Sequence, residues 1–175
     1  MGKNKHLEIY KKAHHNAFEL SRESELLFDN GCYARAYALA FTALEEISKS
    51  QFAADVYTGF VEVEEFEDFY RDHKDKIGRM RWAHKDANGF YSMKWVGPDK
   101  DDMKKMSPKE PTFEKRQRSL YVDLNLDEQD IYTPEEQVTE NEAEGIIHIV
   151  NTALNRISEV VDFHGRQIGT KGFMK

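Results

Sequence analysis

A chain of 175 residues and 20.5 kDa has the length of one domain with a substantial core, and too little for two. Charged residues make up 33%, but apolar residues at 39% and aromatics at 12% exclude a disordered polymer. The formal net charge of -7 excludes a general nucleic-acid coat and leaves only a local basic face for binding a phosphate backbone.

Cys32 is the single cysteine, so neither an intramolecular disulfide framework nor a cysteine-based zinc site is available, and a reducing cytoplasm fits. The first twenty residues hold no uninterrupted apolar run for a secretory signal, and Tyr37 to Leu44 is far short of a membrane span. His6 stands where a myristoylation motif wants Ser or Thr. The expectation is a cytoplasmic protein with no membrane association.

In chain order, Ile9, Ala13, Ala17, Leu20, Ser24, Leu27 and Phe28 predict a first helix that stops at Asp29-Asn30-Gly31. Tyr33, Ala36, Tyr37, Ala40, Leu44 and Ile47 predict a second, whose alanines at 34, 36, 38, 40 and 43 permit close packing. The short turn between them makes an antiparallel hairpin. A third helix is expected from about Val61 to about Asp86, acidic at its start and basic beyond Arg71, the polarity that the helix dipole favours.

All four prolines fall at 98, 108, 111 and 134, and residues 89 to about 116 read as a long loop. Arg118 to Leu124 has the character of a lone extended segment lying across the helices. Thr133-Pro134-Glu135-Glu136 is a capped helix start, and Thr139 with Glu142 repeats the pattern. A last helix then runs to about His164, burying Ile146, Val150, Ala153, Ile157, Val160 and Val161. The expected fold is all-α: an antiparallel bundle of four or five helices forming one domain over 1–168. One irregular excursion spans about 89 to 130, and a flexible tail follows at 169–175.

Several motifs occur in a fixed order: Ala38-Leu39-Ala40, then Ala43-Leu44-Glu45-Glu46-Ile47-Ser48-Lys49, then His73-Lys74-Asp75-Lys76, then Arg118-Ser119-Leu120-Tyr121-Val122-Asp123. In this order the chain resembles the AbiV-type branch of the HEPN superfamily, helical bundles of abortive infection, in which a bacterium halts its own growth to stop a phage. The likeness covers roughly residues 10 to 165, with Ser48 standing where the family usually has Gly. It implies a HEPN-like bundle, a homodimer, and in many members a metal-independent ribonuclease built on Arg followed after four to six residues by His.

Arg79 and His84 fit that spacing. In such a pair, His moves the proton of the ribose 2'-hydroxyl or of the leaving oxygen, and Arg stabilises charge on the phosphate. Residues five apart on a regular helix point about 140° away from each other, so the pair needs a kink or a helix end. His73 and His84, eleven apart, share a face with Lys76 and Arg81 one turn inward of each. Glu46 either forms an intrahelical ion pair with Lys49 or, if the helices pack as in the family, accepts the ring N–H of His73 and orients it. Arg118 and Tyr121 either hold a phosphate or clamp the extended segment.

The candidate catalytic residues are therefore Arg79, His84, His73 and Glu46, and the candidate phosphate contacts are Lys49, Lys76, Arg81, Arg118 and Tyr121. No cofactor is called for. A di-iron site is not expected, because no histidine has a Glu three residues before it. His14 and His15, being adjacent, point to different sides of the first helix. The expected function is a phage-defence toxin that cleaves RNA as a homodimer. The alternative is a non-catalytic helical module that binds a regulatory protein partner.

Overall fold

The computed structural model describes residues 3–59, 61–71, 111–125 and 129–163. Among these, α1 (Lys3–Asp29) and α2 (Tyr33–Thr58) form the long antiparallel hairpin. α3 (Val63–Arg71) follows at the open end of that hairpin. The chain resumes as α4 (Phe113–Arg118), then β1 (Asp123–Asn125) and β2 (Asp130–Tyr132), the four-residue α5 (Pro134–Gln137) and α6 (Glu140–Phe163). The helical bundle read from the periodicity is the observed class.

The hairpin turn is built by Gly31 at φ +74°, a left-handed conformation that costs glycine little. It lets the N–H groups of Gly31 and Cys32 bond back to the carbonyls of Phe28 and Leu27 at 2.9 and 2.8 Å, closing the last turn of α1. Gly59, also at φ +74°, ends α2 in the same way.

The main core lies between α1, α2 and α6. Ala17, Ala36, Ala40, Ala43, Phe41, Leu44, Ile47, Ile146 and Val150 are all buried there, and the small alanine side chains are what let the helices approach. A second apolar cluster, Tyr10, Phe52, Val56 and Phe66, ties α3 onto the start of α1 and the end of α2. His6 is fully buried beside it, with its ring edge-on to Phe66 at 5.1 Å. His14 is half-buried and stacks on Tyr10, whereas His15 is exposed, as adjacency on a helix requires.

Two expectations need correcting. The loop expected to reach about residue 116 ends earlier, because α4 begins at Phe113: Thr112 caps it by accepting from the Lys115 N–H at 3.1 Å, and Arg116 lies over the rings of Phe41 and Phe113. Nor is 118–124 a lone extended segment. Arg118 closes α4, the chain turns through Ser119 and Leu120, and only Asp123–Asn125 is a strand, paired antiparallel with Asp130–Tyr132.

The two cap motifs form as expected. Thr133 and Glu136 complete a capping box at α5, with Pro134 in the first turn, and Thr139 and Glu142 exchange equivalent bonds at the start of α6. The third helix beyond Arg71, the segment 72–110 and the tail 169–175 lie outside the described residues.

Candidate functional site

A cavity of about 690 Å³ opens between α1, α2 and α3. Its apolar wall is Ile9, Ala13 and Phe66, and its polar lining follows from helix spacing. On α1, Lys5, Glu8, Lys12 and Asn16 recur every three or four residues and so form a stripe beside the apolar one. α2 supplies Glu46 and Lys49, and α3 supplies Glu67, Tyr70 and Arg71.

Each of the three helices presents one acid–base pair to this cavity. Glu8 holds Lys12 at 2.8 Å, Glu67 lies 3.6 Å from Arg71, and Glu46 pairs with Lys49. The first two pairs are solvent-exposed, but the side chains of Glu46 and Lys49 are only 16% and 24% exposed. The hydrogen bond from Lys12 holds the Glu8 carboxyl below its usual range and raises the Lys12 ammonium in turn. Lys5 adds its charge beside Glu8, so the lining sets Lys5, Lys12, Lys49 and Arg71 against Glu8, Glu46 and Glu67 and carries one positive charge in excess. An amphipathic cavity with a shielded ion pair and spare positive charge can hold a polar, anionic group against an apolar wall.

Of the sequence-derived candidates, Glu46 and Lys49 share this cavity. Arg118 and Tyr121 do not line it. Arg118 bonds Glu114 at 2.9 Å and Asp123 at 3.1 Å, bracing α4 against β1, and Tyr121 is exposed between them. His73, Lys76, Arg79, Arg81 and His84 lie outside the described residues. Sequence reasoning passed over Lys5, Glu8, Lys12, Asn16, Tyr70 and Arg71. The available signal was the run of polar residues at helical spacing directly flanking the Ile9–Ala13 apolar stripe.

Among the described residues no helix is long and apolar enough to cross a membrane. Comparison with curated proteins and with solved structures returns no match. A family model described as AbiV, of HEPN type, matches residues 5–155. That span takes in the α1–α2 hairpin, every residue lining the cavity and most of α6. The chain therefore belongs to the AbiV family of abortive-infection HEPN proteins.

Proposed function

We propose that this protein is a metal-independent RNA-cleaving toxin of phage defence that acts as a homodimer. The observation that carries the reading is the shielded Glu46–Lys49 pair on the wall of a cavity that α3 closes at Arg71. The sequence then runs within two residues to His73, and on through Lys76, Arg79, Arg81 and His84.

In this reading one histidine takes the proton of a ribose 2'-hydroxyl as that oxygen attacks the adjacent phosphorus. The bond from phosphorus to the 5'-oxygen breaks, and the leaving oxygen receives a proton from the second histidine. Arg79 stabilises the charge on the phosphoryl oxygens, while Lys76, Arg81 and Lys49 hold flanking phosphates. Glu46 holds the imidazole of His73 in the productive orientation by accepting its ring N–H.

Purified protein incubated with varied RNAs tests this directly. Positioned acid–base groups contribute about 10²- to 10⁴-fold, so His73→Ala, His84→Ala and Arg79→Ala should each remove most cleavage, with helicity unchanged. Products should end in a 2',3'-cyclic phosphate or its hydrolysed form, and chelator should leave the rate unchanged. Sedimentation should show a dimer. If the RNAs stay intact, or the histidine variants cut as fast as the parent, the non-catalytic interaction module replaces this reading.

A further inference from the structure

The β1–β2 ribbon reverses the usual arrangement of a half-buried hairpin. Leu124 and Ile131 are direct cross-strand partners, so their side chains share one face, and Val122 stands two positions before Leu124. These three are 53%, 67% and 64% exposed. The residues of the alternate pair, Asp123 and Tyr132, are the half-buried ones, and Asp123 is held by Arg118. The side of Asp123 and Tyr132 is thus the less exposed one, and the side of Leu124 and Ile131 faces water.

A free two-stranded ribbon with three residues per strand is not stable by itself. This one is fixed at both ends. Before it, Leu120 and Tyr121 bond back to the Gln117 carbonyl at 3.0 and 3.1 Å and the buried Ser119 bonds the Arg116 carbonyl. After it come the capping box of Thr133 and Glu136 and the buried Pro134. The apolar face is thus presented on a braced support, which lowers the ordering cost of binding.

Charge indicates the occupant. From Ser119 to Asn155 the sequence contains Asp123, Asp127, Glu128, Asp130, Glu135, Glu136, Glu140, Glu142 and Glu144, and no Lys or Arg. Asp130, Glu135, Glu136, Glu140 and Glu144 are exposed. The cations just before this window are committed, Lys115 to Glu142, Arg118 to Glu114 and Asp123, and Arg116 to the rings of Phe41 and Phe113. The remaining field repels a phosphate backbone, and a second copy docking through the same face would set like charges against each other.

We propose that the Val122–Leu124–Ile131 face is a docking surface for another protein, through a segment carrying Val, Ile or Leu side chains flanked by Lys or Arg. The apolar side chains cover the ribbon and the cations meet the exposed carboxylates that follow it, from Glu135 onward. The surface is separate from the cavity containing Glu46, and docking does not depend on RNA cleavage.

A displayed peptide library selected on the full-length protein tests the surface, with the selected peptides then measured in solution. They should be enriched in Lys or Arg together with Val, Ile or Leu. Affinity should fall at least about tenfold in Leu124→Ser/Ile131→Ser, as for loss of a central apolar anchor. It should also weaken as salt rises from about 50 to about 500 mM, and weaken in Glu135→Lys/Glu144→Lys, two exposed positions outside the core. Phe18→Ser/Leu26→Ser, an exposed apolar pair on α1, should bind as the parent does. Selected peptides without basic excess, or equal binding by parent and ribbon variants, would overturn the proposal. So would a dimer that Leu124→Ser/Ile131→Ser converts to monomer, since the face would then be a contact between copies.

Discussion

The hydroxyl of Ser21 on α1 donates to the side-chain oxygen of Asn151 on α6 at 2.7 Å, joining positions 130 apart in the sequence. The amide of the same Asn151 donates to Glu25 one turn along α1. A buried serine and a half-buried asparagine therefore fix how the last helix lies on the first. Asn151→Ala deprives the buried Ser21 hydroxyl of its acceptor and should cost about 1–3 kcal/mol, whereas Ser21→Ala leaves a group that water can reach and should cost about 1 kcal/mol. Denaturant midpoints with unchanged slopes would show it.

Burial pushes the Glu142 carboxyl up, but hydrogen bonds from Thr139 and Lys115 outweigh this and leave it below the ordinary carboxylate range. Glu142 caps α6 and also holds Lys115 of α4 at 3.0 Å. Because its pKa is lowered on folding, its contribution is present above the unfolded value and is lost as pH falls through the folded one. Glu142→Gln should flatten the acid side of the stability profile below about pH 4.5, and Lys115→Met should do so in part.

Tyr37 behaves in the opposite sense. Burial pushes its phenol up to about 12, with a backbone hydrogen bond at Thr112 offsetting part of the shift. Its stabilising contribution is complete below the unfolded tyrosine value of about 10 and disappears as pH rises toward 12. Tyr37→Phe should remove that alkaline loss, and ultraviolet titration of the parent should show one late-ionising phenol missing from the variant.

The Glu46–Lys49 pair separates support from chemistry. An exposed i,i+3 pair is worth about 0.2–0.5 kcal/mol, but this one is shielded, so Glu46→Gln and Lys49→Met each leave a mostly buried partner unpaired and should cost about 1–3 kcal/mol, read by the unfolding midpoint. If Glu46 positions His73, Glu46→Gln should lower the cleavage rate and shift its pH profile. Lys49→Met should instead weaken RNA binding and reduce its salt dependence. Equal small effects on both readouts would assign the pair to the helix alone.

Alanines at 36, 40 and 43 are fully buried at the centre of the core. Ala40→Leu inserts volume where helix backbones approach closely and should cost about 1–3 kcal/mol or more, read by thermal unfolding.

Legibility in the sequence tracked the length of the repeating pattern. α1, α2 and α6 each carry several turns of apolar residues at 3.6 spacing, and the stripes read from them include the residues that form the core. Caps read well too, because Thr133–Glu136 and Thr139–Glu142 encode reciprocal bonds within four residues. β2 did not, since three residues, Asp130-Ile131-Tyr132, display no periodicity until β1 lies beside them. α4 was hidden for a similar reason: its support comes from Phe41, far away in the chain. At the site, Glu46 and Lys49 were visible as a motif, but the contribution of α1 depends on how α3 closes over it. That relation appears only when Phe66 meets Phe52 and His6.

All twelve residues that line the cavity lie between Lys5 and Arg71, whereas the helix that seals the main core begins at Glu140. Synthesis proceeds from the amino end, and the α1–α2 hairpin closes through contacts local in sequence, which form quickly. On the ribosome every pocket residue is therefore synthesised while Leu44, Ile47 and their neighbours still await Ile146 and Val150. A chain stopped ahead of α6 therefore carries the pocket residues over the apolar face that Ile146 and Val150 cover in the folded bundle, a surface that invites proteolysis or chaperone capture.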